Sequence, residues 1–349
     1  MTSFEVLPPV NSPAGPPRSA SIRFDLEHSA FIADLRGPER EPARIAGGIV
    51  LGTVAGLLAA TVGLLIVLAL WMSLSGGQPT GFAGIGRVAL RLQQADGRDL
   101  PSALLVMVVA TATNVPFVLG FVGIAALLVR RRLKDYVTAA PHIRWRLLLA
   151  GLLLSVLAIV PMMIVDRLTS NGAPPLPVHM VSPHAVGRLA YVIAAVLLLI
   201  PAAAAEEVLV RGWMLRQIAA FTKRPAVLIV VTGLAFSALH GDFSAGAFLT
   251  RALMGAGFAY MTLRLGGVEF STGAHAANNI LIVLFIEPLT LKNVAAPTQL
   301  TTGSIAEDLI LIVGYLVITE AVVRIAPLRR WAGLASPADG APLMGPAEA

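Results

Sequence analysis

Eight stretches in which apolar residues run on with few interruptions divide the chain: residues 45–72, 102–129, 146–165, 188–210, 225–240, 246–264, 270–286 and 306–326. A helix needs about 20 apolar residues to cross the hydrocarbon of a bilayer. Each stretch is therefore expected as a membrane helix, the fifth and seventh being short for the task. Turn-forming residues separate them, most densely near 171–184, with Asn171, Pro174, Pro175, Pro177, His179, Pro183 and His184. The expected fold is all-α: a polytopic membrane protein of about eight transmembrane helices, with no internal repeat visible.

Composition supports this reading. Of the 349 residues, 56% are hydrophobic and 13% charged, with a mean hydropathy of +0.78. Soluble domains average about 25% charged residues. The chain has no cysteine, which excludes disulfides, thiol catalysis, thiolate metal sites and a lipidated cysteine of its own. The formal charge of +6 raises nucleic acid as a partner, but the basic residues flank apolar segments, where they act as orientation signals. Nucleic acid is not expected; the lipid bilayer is.

If the N-terminal tail is cytoplasmic, Arg130, Arg131, Arg132, Lys134, Arg144 and Arg146 fall inside, as do Arg216, Lys223, Arg224, Arg264, Arg329 and Arg330. Outside remain Arg87, Arg91, Arg98, Arg167 and Lys292, with Arg188 at a boundary. This asymmetry predicts a multi-pass protein of the inner (plasma) membrane with both termini cytoplasmic. Residues 1–43, with Pro8, Pro9, Pro13, Pro16 and Pro17, read as a mostly disordered tail. Within it, Leu26, Phe31, Ile32 and Leu35 have the spacing of an amphipathic surface helix, the alternative to a plain tail. No apolar run begins before Ile45 and none ends in a small-residue cleavage site, so no removable signal peptide is expected.

Chemistry concentrates in the run Glu206-Glu207-Val208-Leu209-Val210-Arg211, at the inner end of an apolar stretch. A charge at the centre of a membrane helix costs about 2.5–3.5 kcal/mol on insertion scales, so such a residue has a partner or a task. Glu207 and Arg211 stand four apart with the acid first, the favourable order for an ion pair. Glu206 points about 100° away and lacks that partner. Among six histidines, His240 and His275 lie within or at the ends of apolar segments; His28, His142, His179 and His184 fall in polar or loop segments. Phe236 and His240 share a helix face, as do His275 and Asn279. Taken singly, a membrane histidine or asparagine is most simply a helix contact. Together, Glu206, His240, His275 and Asn279 are the groups hydrolysis needs: a base for water, donors for an oxyanion and an acid for the leaving amine.

Glu-Glu-x-x-x-Arg, Phe-x-x-x-His and His-x-x-x-Asn, in that order on successive membrane segments, resemble the CPBP intramembrane proteases. That family includes the type II CAAX prenyl endopeptidase and bacterial relatives linked to bacteriocin processing or self-immunity. The matching residues are Glu206, Glu207, Arg211, Phe236, His240, His275 and Asn279. The resemblance implies a helical membrane enzyme, a glutamic or metallo-endopeptidase, whose cavity opens to the cytoplasm. It implies that Glu206 activates water with help from His240, that His275 and Asn279 form the oxyanion site, and that the substrate is a membrane-associated peptide or protein. Zinc stays open as a cofactor: His-Glu-x-x-His is absent and Asn is a poor ligand, yet Glu206, His240 and His275 would suffice for a catalytic zinc.

On this reading residues 1–43 are the tail, 44–187 three helices with loops, 188–286 the catalytic core, 287–326 an outer loop with the last helix, and 327–349 a disordered tail. Two other readings stand beside it: a proton-coupled transporter using the same Glu/His set as a relay, and a non-catalytic immunity or scaffold protein. Arg251 is expected to pair with a nearby acid or to receive a substrate carboxylate. Glu320 is expected as a helix-packing contact or beside Arg324, its i+4 partner; Asp242 follows His240 and either orients it or, more simply, caps the loop. Counting residues along the fifth segment sets His240 toward the outer side and Glu206 toward the inner one, a mismatch the sequence leaves open.

Overall fold

The computed structural model describes residues 26–74, 97–169, 175–290 and 300–334, with Gly86, Leu90 and Ala95. The proline-rich start of the chain, part of the 171–184 loop, Arg87, Arg91, Lys292 and the end of the C-terminal tail lie outside the described residues.

Each of the eight apolar stretches is a helix: α1 (Pro42–Leu74), α2 (Leu100–Val129), α3 (Trp145–Thr169), α4 (Ala185–Ala219), α5 (Pro225–Leu239), α6 (Ala245–Leu265), α7 (Glu269–Phe285) and α8 (Thr302–Arg324). Among the described residues there is no strand, only an isolated bridge between Thr138 and Gly267. The protein is an all-α polytopic membrane protein. α1, α2 and α4 are long and apolar enough to cross a bilayer; α5 and the first part of α3, to Pro161, are shorter apolar helices. Leu57, Leu58, Leu127, Leu157, Leu197 and Val317 are exposed. So large an apolar surface has no place in water and fits lipid.

Local chemistry sets the helix ends. Asp99 accepts from the Ser102 backbone at 3.0 Å and Pro101 follows it, a favoured opening for α2. α6 stops at Gly266, whose φ of 69° suits a residue without a Cβ.

α7 is the axis of the bundle, buried along most of its length and packed on α3, α4 and α6. Small residues let the backbones close on it. A Cβ on Gly151 of α3 would lie 2.1 Å from the Phe270 carbonyl oxygen, and one on Gly273 would lie 2.1 Å from that of Leu148. α1 packs on α2 through Gly48, Gly52 and Gly56, a small-residue stripe typical of membrane helix pairs. α2 and α4 run side by side, Met107 sharing a cluster with Tyr191 and Ala195 and Phe121 sharing one with Trp213.

Residues 26–40 depart from both expectations for the tail. They form three short 3-10 turns, with Phe31 and Ile32 fully buried against Leu215, Ala219, Leu228 and Leu263. Arg216 donates to the Phe31 carbonyl and, at 2.6 Å, to Asp34; Arg131 donates to Asp34 at 2.7 Å and to Glu39 at 2.8 Å. The apolar positions therefore face protein, not lipid, and two arginines from the ends of α2 and α4 hold the segment as a strap. Burial alone would raise the Asp34 carboxyl, but the hydrogen bonds and charges of Arg216 and Arg131 hold it below the usual carboxylate range.

Candidate active site

Regular α-helix in α4 gives way after Glu207 to a π-helical turn, Val208–Met214, before α-helix resumes at Leu215. Such a turn accommodates one extra residue, and π-turns recur at functional sites. Here it contains Arg211. The guanidinium reaches back to Glu207 at 2.9 Å and donates to the Gly255 carbonyl of α6 at 2.8 Å. It also lies over the Phe236 ring, 4.4 Å from its centroid. A Cβ on Gly255 would sit 3.0 Å from that guanidinium and 3.1 Å from the Phe236 Cβ, so the glycine leaves room for the arginine. Glu207 and Arg211 are both 0% exposed: the expected ion pair forms, sealed in protein.

His275 of α7 meets the same carboxylate, its Nδ1 lying 3.0 Å from Glu207 Oε1. Phe258 stacks on the ring at 5.1 Å between centroids, and Phe236 presents its edge or face to His275 at 5.4 Å and to His240 at 4.8 Å. Phe236 thus stands between the two imidazoles, which explains its place one turn before His240. His240 caps α5, with Nδ1 2.8 Å from the Phe236 carbonyl oxygen. A carbonyl only accepts, so Nδ1 carries the proton and, in the neutral ring, Nε2 keeps its lone pair.

Glu206 is where these parts converge. Its Oε2 lies 3.6 Å from His275 Nε2 and 4.0 Å from His240 Nε2. Its Oε1 accepts from Asn114 Nδ2, on α2, at 2.9 Å. The Glu206 side chain is 28% exposed and that of His240 33%, against 2% for His275, so the cluster is open on the Glu206–His240 side and closed behind His275. Asn279 follows His275 by one turn, half-buried, and makes no hydrogen bond among the described residues.

The mismatch in depth has a physical resolution. The apolar run ends near Val210, but the helix continues to Ala219, so Glu206 stands 13 residues, or about 20 Å, from the helix end. α5 returns from there and has 15 residues, about 22 Å, which brings its cap His240 level with Glu206. The end of the apolar run therefore understates how far Glu206 lies from the end of its helix.

Asn114 was not among the residues picked from sequence. The signal was present: Thr111, Thr113, Asn114 and Pro116 interrupt an otherwise apolar helix. A lone amide in a membrane helix, however, reads as helix contact. Arg251 pairs with Asp242 at 3.1 Å, and Asp242 accepts from the Ser244 backbone at 3.0 Å and its hydroxyl at 2.8 Å, closing the loop that leads into α6. Glu320 takes Arg324 and also Arg264, each at 2.7 Å. These acids are structural partners, as expected.

Glu206, His240 and His275 would be the zinc set. Among the described residues, no group of three His, Cys, Asp or Glu side chains is disposed to hold a metal ion. Atoms bound to one tetrahedral zinc lie about 3.3 Å apart; Glu206 Oε2 stands 3.6 Å from His275 Nε2, near that spacing, and 4.0 Å from His240 Nε2, wider than it.

Fold and site together define a class: a helical membrane protein with a partly open carboxylate–imidazole cluster. Residues 188–281 match the Rce1-like model, described as type II CAAX prenyl endopeptidase Rce1-like, as the three motifs indicate. That stretch runs from α4 into α7 and contains Glu206 through Asn279. YyaK of Bacillus subtilis (strain 168), described as uncharacterized, is 26% identical over 166 residues, covering 46% of this chain and 54% of that protein. The chain thus spans about half the length of the curated relative it matches. No solved structure matches.

Proposed function

We propose that this protein is an intramembrane endopeptidase that hydrolyses peptide bonds of membrane-associated substrates, with Glu206 as general base. The observation that carries the reading is the approach of two imidazole Nε2 atoms from different helices, at 3.6 and 4.0 Å, to the same oxygen of one partly exposed carboxylate. Three groups at that spacing leave room for a water held by Glu206 Oε2 and His240 Nε2.

In the proposed reaction Glu206 takes a proton from this water as its oxygen attacks the peptide carbonyl carbon. The oxyanion that forms is stabilised by His275 Nε2–H and the Asn279 amide. His275 gives Nδ1–H to Glu207, so donation from Nε2 requires the imidazolium, and the Glu207 carboxylate is placed to stabilise that cation. Glu206 then passes its proton to the leaving amine as the C–N bond breaks. Glu207, Arg211 and Phe236 hold His275 and His240 and touch no reacting atom. We further propose that both termini face the cytoplasm. The meeting of Arg131 and Arg216, from the ends of α2 and α4, on one Asp34 supports a single basic face there.

The test is cleavage of a membrane-anchored peptide by the purified protein in proteoliposomes, beside Glu206→Gln. Cleavage by the wild type and its loss in the folded variant are expected. No cleavage by either, with proton-coupled uptake by the wild type only, would make the cluster a transporter's relay.

A further inference from the structure

We propose that Asn114, on a helix outside the family match, is the positioning residue that orients the Glu206 base; the inference rests on the hydrolytic reading above. The last torsion of a glutamate is broad and two-fold, so a carboxylate in an open site presents either oxygen in any of many orientations. Asn114 Nδ2 donates to Oε1 at 2.9 Å, and this bond leaves Oε2 as the oxygen facing His275 and His240. An amide N–H donates without carrying charge, so it fixes the carboxylate without neutralising it as Arg211 does for Glu207.

α2 is built to hold that donor in place. Thr111, one turn before Asn114, shares its single O–H between the Met107 carbonyl of its own helix at 2.9 Å and the Leu198 carbonyl of α4 at 3.0 Å, which holds α2 close to α4 above the acid. Phe121 of α2 packs edge-on against Trp213 of α4, 4.7 Å between centroids, and clamps them below it. Asn114 lies between two fixed points, with its amide aimed at one carboxylate oxygen. The region that bears the three motifs therefore lacks one working part, supplied by the N-terminal half.

A helix-packing role would make a different set of observations. Asn114→Leu, similar in volume but without a donor, is expected to lower kcat about 10- to 100-fold, the scale of one hydrogen bond to a charged group. KM should stay within about two-fold and melting should be unchanged. Thr113→Val, which removes a neighbouring hydrogen bond to the Val109 carbonyl within α2 itself, should leave kcat within about two-fold. Added to Glu206→Gln, Asn114→Leu should cause no further loss, since both act through one carboxylate. Where Asn114→Leu does not fold, Asn114→Ala carries the same test. If the wild type cleaves, Glu206→Gln does not, and Asn114→Leu keeps its kcat or loses it in parallel with stability, the positioning role falls and the protease reading stands. If the wild type cleaves nothing, both fall together.

Discussion

Glu206 and Glu207 are neighbours in sequence and opposites in circumstance. Glu207 is 0% exposed, accepts from a guanidinium at 2.9 Å, and lies 3.0 Å from an imidazole nitrogen. Glu206 is 28% exposed, and the donor that reaches it is a neutral amide. The first carboxylate is enclosed and matched by positive charge; the second is oriented but left unneutralised and partly exposed on one side. One helical step of about 100° separates a structural acid from an acid fit for proton transfer. Adjacent identical residues can therefore divide two roles that a single carboxylate cannot combine, since a base must be free to change charge and a buried anchor must not.

Removing the charge of one acid and the partner of the other breaks this contrast most directly. Glu206→Gln is expected to lower cleavage of a membrane peptide by at least about 100-fold, the usual scale for a general base. Its melting temperature in detergent should stay close to wild type, because a neutral amide still fits beside Asn114. Unchanged turnover would remove Glu206 from the chemistry. On the other side of the pair, Arg211→Ala should act on the fold. Removing one partner of a sealed ion pair costs about 3–5 kcal/mol, because the other charge stays buried and unmatched. A variant that melts as wild type yet turns over slowly would show that Arg211 serves the reaction and not the frame.

Gly255 sharpens the same comparison at smaller scale. A methyl group there would lie 3.0 Å from the guanidinium and 3.1 Å from Gly233 Cα, with no flexible neighbour on the glycine side. Gly255→Ala is expected to cost about 1–3 kcal/mol of stability by overpacking. Activity of the folded fraction should fall only as far as Arg211 and, through Glu207, His275 are displaced. A thermal melt and specific activity per folded protein separate the two effects.

The sequence carried the acid and the histidines plainly, because helical spacing and apolar surroundings are local properties. Glu207 and Arg211 pair at i, i+4 as spacing suggests, even across a π-turn that no periodicity reveals. The approach of His240 to Glu206 was not legible, because apolar runs mark where lipid begins and not where a helix ends; α4 continues to Ala219 past Arg211, Arg216 and Gln217. Asn114 was illegible for another reason. Its meaning lies in what faces it across 92 positions of chain, and a lone amide carries no sign of that partner. The strap failed on solvent: Phe31 and Ile32 have the spacing of a surface helix, and the pattern cannot say whether lipid or protein covers them.

A third carboxylate, Asp34, extends the comparison to the water-facing end. Like Glu207 it pairs with arginines, at 2.6 and 2.7 Å, but its side chain is 51% exposed. Water and salt screen such pairs, so its contribution should be within about 1 kcal/mol despite the short contacts. Its folded state favours the carboxylate more than the unfolded chain does, so it binds its proton at lower pH when the strap is docked. The stability it gives is therefore fully present above the unfolded value, near pH 4, and is lost as pH falls through the lower folded value. Hydrogen exchange at the Phe31 and Ile32 amides, corrected for intrinsic rates, should show the strap loosening below about pH 4 in the wild type. In Asp34→Asn the strap should be looser at neutral pH, and its pH dependence should shrink. An identical profile in both proteins would assign the hold to Glu39 and the buried phenylalanine, making Asp34 a bystander with good geometry.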